Sequence, residues 1–415
     1  MISMVITVKL RMDTPGGVTA PEALPDVDNV LPLRRDTTGR PHLPGTTVAG
    51  SLRAHCATYD ELLPEKTLFG IANDVERIPS SIQVLGTRYL GDTNGTVRHR
   101  TAIDRERGAP ANTMLHGVTV LPAGTEFDIV LSWDNPDQRE EPFLRALQEW
   151  RPRLGRGASH DAGRCSVVGL GHRKYDLTTV HGLHTWLHLR FPDDYPAPEP
   201  LAEPQRPLEP DYDVTFEIID GLHISAGKPT ADSTSDRPII NEVLRSDGRL
   251  VVPGSTLKGN LRSRAEYVCR VVGAGACADR RCGECHPCRL FGFSGESRNA
   301  RRAKIAVSDS VIDNATTDLR THVAIDRFTG GAREQLLFTD EVVTAGRFRL
   351  RVYALEPLDD VDRLLIDTVL TDLHDGLVGI GGRTTAGLGT VRITSEWTRP
   401  DLTTLADRLT GEIAA

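Results

Sequence analysis

Pro44-Gly45-Thr46-Thr47-Val48-Ala49-Gly50-Ser51-Leu52-Arg53 returns as Pro253-Gly254-Ser255-Thr256-Leu257-Lys258-Gly259-Asn260-Leu261-Arg262, with six of ten positions identical and an offset of 209 residues. Working outward, Leu68-Phe69-Gly70 returns as Leu290-Phe291-Gly292, and Ala102-Ile103-Asp104-Arg105 as Ala324-Ile325-Asp326-Arg327, both at an offset of 222. Ala162-Gly163 returns as Ala386-Gly387 at an offset of 224. Single short matches arise by chance. Four landmarks in one order, with slowly drifting offsets, need a common template. The chain therefore reads as one unit written twice.

Its 415 residues suffice for two domains of about 200 residues, each with its own core. Met1 to Arg11 alternate apolar and polar residues, the pattern of a strand rather than of an export signal. With no export signal and no run long enough to span a bilayer, the cytoplasm is the expected compartment, without a membrane partner. The seven cysteines are then expected as reduced thiols or metal ligands. A net charge of −8 works against a protein that coats polyanions indiscriminately, although local basic clusters can still bind. Five prolines mark the stretch 192–204, and Pro207 and Pro210 follow, so a stiff, extended connector is expected at 192–210. It separates a first domain, 1–191, from a second, 211–415, which opens on the strand-like run Tyr212 to Ile219.

Each half reads as strand, loop, helix, several strands, helix and a last Gly-rich turn into a strand, an α+β order. The first helix of each half should start at Gly45-Thr46-Thr47 or Gly254-Ser255-Thr256, with a hydroxyl capping orphan backbone donors. Leu257, Leu261, Ala265 and Val268 recur at helical spacing and should face a core, with Lys258 and Arg262 on a neighbouring face. A second helix is expected in Leu358 to Leu370, stopped by Gly376, and its counterpart in Phe143 to Trp150.

Cys277, Cys282, Cys285 and Cys288 give C-x4-C-x2-C-x2-C, and four thiolates suit tetrahedral zinc. The cluster fills the interval by which the second copy outgrows the first, so a structural zinc knuckle is expected as an insertion around 269–288. Cys269 and His286 stand by as substitutes. No activating His and Glu motif accompanies it, which points away from a catalytic zinc.

A Pro-Gly-Ser/Thr-x-x-x-Gly-x-Leu-Arg helix start, then Leu-Phe-Gly, Ile-Asp-Arg and a closing Gly-rich loop, all present twice, resembles the RAMP superfamily of CRISPR-associated proteins. Within it, the chain is most similar to the type III effector backbone subunit that lines guide RNA. The resemblance implies two tandem modified ferredoxin-like (RRM-like) domains, each with an inserted thumb β-hairpin, in an antiviral defence complex with other type III effector subunits. It implies guide RNA and a complementary target RNA as partners.

Carried over residue by residue, the resemblance puts Thr46, Thr47, Ser51 and Arg53, and Ser255, Thr256, Lys258 and Arg262, on guide phosphates. The physics agrees, since a helix N-terminus with hydroxyl and basic neighbours completes an anion site. Ala49 stands in the place of Lys258, so the first copy should grip more weakly. Arg105 in the first copy, and Arg327 with Phe328 in the second, would sit on the thumbs, where an aromatic can wedge beside bases. Arg383 and Thr384 of the closing loop Gly379 to Gly389 are further expected RNA contacts, the glycines allowing close approach of a ligand backbone. In the first loop, Gly155 to Gly163, Cys165 replaces the last glycine. Asp104 and Asp326 are expected as partners of nearby donors rather than as catalysts.

Asp28 and Asp236 occupy equivalent polar loops ahead of Val30-Leu31 and Ile239-Ile240. The resemblance implies that an aspartate there supports cleavage of target RNA, either by assisting deprotonation of a 2′-hydroxyl or by placing a divalent ion such as magnesium or manganese. Asp26 and Asp232 compete for the same roles, and an Asx turn is the plainer use of any of them. Two further readings stay open. One is a guide-RNA scaffold without catalysis. The other is a RAMP endonuclease that processes precursor guide RNA, for which His160, His223 and His322 are available.

Overall fold

A computed structural model describes residues 1–20, 29–64, 68–72, 77–100, 103–104, 109–110, 116–190, 193–227, 240–277, 282–294 and 300–411, apart from the side chains of residues 60, 61, 72, 103, 104, 109, 110 and 333–336. Asp28, Arg105 and Asp236 lie outside the described residues, as do Asp26 and Asp232. The chain divides into two units, Met1–Arg98 with His116–Leu208, and His99–Leu115 with Glu209–Ala415. Each is mixed α and β.

In the first unit, β1 (Ile2–Met12), α1 (Gly45–Cys56), β2 (Ile82–Tyr89), β3 (Glu126–Asp134), α2 (Glu140–Glu149) and β4 (Cys165–Asp176) carry the core. The sheet runs β4-β1-β3-β2, every pair antiparallel. The alternation in β1 has its structural meaning: Met4, Ile6, Val8, Leu10 and Met12 are all buried in the same core as Val48 and Leu52 of α1 and Phe143 and Leu147 of α2. Val5 turns to the other face and packs with Val130 and Tyr175. Part of the stiff, extended segment expected at 192–210 lies against the first unit. Glu199–Pro200 adds an edge strand on Gly169 and Leu170, and Gln205 donates to the carbonyls of Gln148 and Trp150 at 2.6 and 3.1 Å. Orphan carbonyls at the end of α2 thus hold the segment down.

The second unit contains β5 (Tyr212–Ile218), α3 (Gly254–Val271), α4 (His286–Phe291), β6 (Ile305–Val307), β7 (Asp313–Ile325), β8 (Ala332–Ala354), α5 (Asp360–His374) and β9 (Val391–Ile393). Leu257, Leu261, Ala265 and Val268 are buried on α3 as the spacing requires. Helix α5 starts on a capping box in which Asp359 and Asp362 each accept the other's backbone N–H, and Gly376 follows its end at φ 73°. At 23 residues, β8 outruns its sheet: one end pairs with β5 and β6, the other with β7 in a long hairpin whose β7 side chains are mostly exposed.

Phe216 and Phe348 stack at 5.6 Å between ring centroids, both fully buried. Phe348→Ala should therefore cost about 3–5 kcal/mol of stability, because it removes burial and leaves a cavity that the sheet cannot collapse into. A denaturant titration checks this, and a loss under about 1 kcal/mol would contradict the packing described.

Candidate nucleic-acid interface and metal centre

Both first helices begin the same way, but not by hydroxyl capping. Pro44 and Pro253 are the N-cap residues, extended at φ −60° and −64°, and neither helix has a side-chain cap bond. In the second copy the carboxylate of Asp309 accepts from Gly254 N at 2.9 Å. Thr46 and Ser255 stand two residues past the cap, and Thr47 and Thr256 three, inside the first turn where they cannot cap it. Thr46 is exposed, and Thr47, Ser255 and Thr256 are half-buried. Gly254 is dictated by close approach, since a Cβ there would lie 2.0 Å from the carbonyl oxygen of Val307.

Helical spacing lines up Thr46 with Arg53 and Ser255 with Arg262, each seven apart, and sets Ser51 one turn beyond Thr47. Arg262 is already engaged: Nε donates to Glu266 Oε1 at 2.8 Å and Nη1 to the carbonyl of Gly292 at 2.7 Å. Lys258 is buried, and desolvation together with the charges of Arg262 and Arg302 draws its pKa from 10.5 down to about 7. The unfolded chain therefore holds the extra proton between pH about 7 and 10.5, and stability should rise with pH across that window. Lys258→Met is expected to raise the melting temperature most below pH 7 and to lose that advantage toward pH 10. A pH-independent gain would contradict a desolvated ammonium.

The hairpin of β7 and β8 closes on a tight turn. Asp326 Oδ1 accepts from the backbone N–H of Phe328 and of Thr329, both at 2.9 Å, which holds its pKa below the usual carboxylate value. Its part as a partner of local donors is as expected. Arg327 is exposed and Phe328 is 100% exposed, an aromatic at the tip of a projecting ribbon.

In the closing loop, Arg383 takes a left-handed conformation at φ 60°, and its Nε donates to Asp340 at 3.0 Å on β8. Thr384 is exposed. Some of the loop's glycines serve the protein's own backbone, since a Cβ on Gly389 would meet the carbonyl oxygen of Ile380 at 2.3 Å. Asp340 and its partner Asn241 were not singled out from sequence. Their one signal is a pair of acids, Asp340-Glu341, inside the otherwise apolar run of β8.

Cys277, Cys282, Cys285 and Cys288 come together with all four Sγ atoms within 4.8 Å of one another. A tetrahedral zinc with bonds of about 2.3 Å needs sulfurs about 3.8 Å apart, and Cys277 Sγ lies 3.9 Å from Cys285 Sγ and 3.3 Å from Cys288 Sγ. The donor set fits zinc. Burial opposes ionisation of Cys282, but N–H donors from Cys285 and Glu284 and the neighbouring thiols outweigh it and bring the thiol to about 7. Arg262 Nη2 reaches Cys288 Sγ at 3.7 Å, so α3 supports the cluster. Neither substitute is used, for His286 bonds the carbonyl of Leu409 at 3.0 Å and Cys269 is buried in the core cluster. Among the described residues no helix is long and apolar enough to cross a membrane.

A family model described as the RAMP superfamily matches residues 10–174 and again 215–392. The CRISPR system Cms endoribonuclease Csm3 of Methanocaldococcus jannaschii is 29% identical over 149 residues, an alignment that covers 33% of this chain and 59% of that relative.

Proposed function

The chain belongs to the RAMP superfamily, matched once in each half, and from that premise we propose that it is a fused double backbone subunit of a type III CRISPR effector. In this reading both halves hold guide RNA, and each cuts complementary target RNA. The observation that carries it is the duplication itself, with the same helix start and closing loop in each half. A likeness to a curated endoribonuclease supports the choice of a type III backbone role. Each half is read as a modified ferredoxin-like domain, with boundaries at 1–191 and 211–415.

Guide phosphates would meet the starts of α1 and α3, where the helix dipole and the hydroxyl residues Thr46, Thr47, Ser255 and Thr256 stand together. Lys258 regains its proton when a phosphate approaches, so the second copy grips harder than the first, where Ala49 stands. The β7-β8 hairpin is the thumb of the second copy, Phe328 wedging beside a target base and Arg327 meeting phosphate. Thr384 of the closing loop would be a further RNA contact. Asp28 and Asp236 then act on the splayed nucleotide. Each takes or orients the 2′-hydroxyl proton, the oxygen attacks the adjacent phosphorus, and the bond to the 5′-oxygen of the next nucleotide breaks, leaving a 2′,3′-cyclic phosphate and a 5′-oxygen that takes a proton from water to become a hydroxyl. A divalent ion would supply charge stabilisation at that phosphate. The cysteine cluster holds a structural zinc that fixes the end of α3.

The test is the assembled complex loaded with a guide and offered a labelled complementary RNA or a scrambled one. Cutting of the complementary strand alone supports the reading. Retained guide with no cutting of either would replace it by the scaffold alternative.

A further inference from the structure

At the foot of the second hairpin the two copies differ in kind. Backbone pairing fixes their equivalence independently of side chains: Val30 pairs with Gly117 as Ile240 pairs with Thr339, and Leu31 with Val118 as Asn241 with Asp340. The neighbouring bridges agree, Gly16 with Leu121 matching Leu222 with Val343, and Thr19 with Leu33 matching Ser225 with Val243. Where the first copy has the apolar pair Leu31 and Val118, the second has Asn241 and Asp340.

Asp340 is fully buried, 0% exposed. Its carboxylate accepts from Asn241 Nδ2 at 2.6 Å and from Arg383 Nε at 3.0 Å, and His322 Nε2 lies 3.7 Å away. Burial works to raise its pKa, yet the bonds from Asn241 and Arg383 prevail and keep it below the ordinary value, so the group is an anion at neutral pH. Phe338 roofs the cluster, with Arg383 4.8 Å and His322 5.2 Å from its ring centroid. Glu341, next in β8, is fastened separately by Arg245 at 2.9 Å and by Val243 N at 3.0 Å. The first copy's closing loop is tied within its own neighbourhood instead, Asp161 pairing with Arg153 at 3.3 Å and Arg164 at 2.9 Å.

A buried ion pair is poor value for stability, since a well-packed apolar pair does as well or better, and the first copy uses such residues at the same two positions. Geometry is what the polar version adds. Asp340 joins three elements at one point: the strand Ile240–Asn241, which begins four residues after Asp236 in the chain; the closing loop, through Arg383; and the hairpin on which Asp340 itself stands. We propose that Asp340 is a positioning residue of the second copy, tying the strand Ile240–Asn241, the closing loop and the thumb into one frame, and that the fused copies are consequently unequal, the second cutting target RNA faster. This rests on the target-cutting function proposed above.

Each assembled complex carries its own reference, because the two cuts give products of different length. In the parent, the cut that Asp236→Ala removes should form faster than the one that Asp28→Ala removes. Asp340→Asn should slow the first of these about 10- to 100-fold in single turnover, the cost of a misplaced reacting group, with the other cut and the target affinity unchanged. Asn241→Leu installs the first copy's residue without stranding a charge, and should act in the same direction. General destabilisation would lower both cuts together. If Asp340→Asn does not assemble, Asn241→Leu decides alone. Equal parental rates, or an unchanged ratio in the variants that assemble, would overturn the proposal. A parent complex that cuts nowhere would instead overturn the function on which it rests.

Discussion

Replacing Asp28 and Asp236 together by alanine should abolish target cutting by the assembled complex, a loss of at least about 100-fold, with guide RNA retained. The magnitude follows from removing the group that takes or orients a proton in the transition state, which contributes about 10²–10⁴-fold. The guide is spared because the residues assigned to it belong to α1, α3 and the closing loop, and phosphate contacts there do not need either carboxylate. Neighbouring acids sharpen the experiment. Should cutting survive in the double variant but vanish when Asp26 and Asp232 are replaced, the chemistry stands and the assignment moves by two or four residues in the chain. Undiminished cutting in both double variants would remove the aspartate mechanism altogether.

Loss of the metal is expected to be the largest effect on stability. Protein purified without chelator should carry one zinc per chain, and Cys285→Ser should abolish that stoichiometry. The cluster is built into the second unit: Cys288 is fully buried, Arg262 reaches it from α3, and cysteines apart, the apolar side chains between Val272 and Cys285 are alanines alone. Structural zinc binding is worth about 10–16 kcal/mol in small peptides, and because the unfolded chain lacks the site, the part not spent on ordering becomes folding energy. Even about 3 kcal/mol of it should lower the melting temperature of the second unit by roughly 10 °C. Zinc well below one ion per chain, or a serine variant with the parent's melting temperature, would contradict the site.

Features written locally were legible in the sequence. The helix starts announced themselves because Pro and Gly are demanded by backbone geometry, and α3 because its apolar residues repeat at helical spacing. The four cysteines could be read because knuckle ligands lie within a dozen residues of each other. The turn at Asp326 to Gly331 likewise depends on side chains and backbone a few residues apart. The hub at Asp340 was hidden for the opposite reason. Its partners lie 99 residues earlier and 43 later, so no spacing rule brings them together. The hydroxyls at the helix starts misled by two or three positions, since proline took the cap and Asp309 came from 55 residues away to serve Gly254. That the stiff, Pro-rich segment lies against the first unit was hidden because composition sets stiffness but does not say which carbonyls at the end of α2 need donors.

The central claim is that two similar modules each deliver a cut to one target strand. It is tested most directly by mapping, at single-nucleotide resolution, the 5′ ends released from a complementary RNA by complexes built with the parent chain, with Asp28→Ala and with Asp236→Ala. The account predicts two cuts per chain in the parent, each single variant losing one and keeping the other. A single cut in the parent, or two cuts that disappear together in either variant, would contradict it.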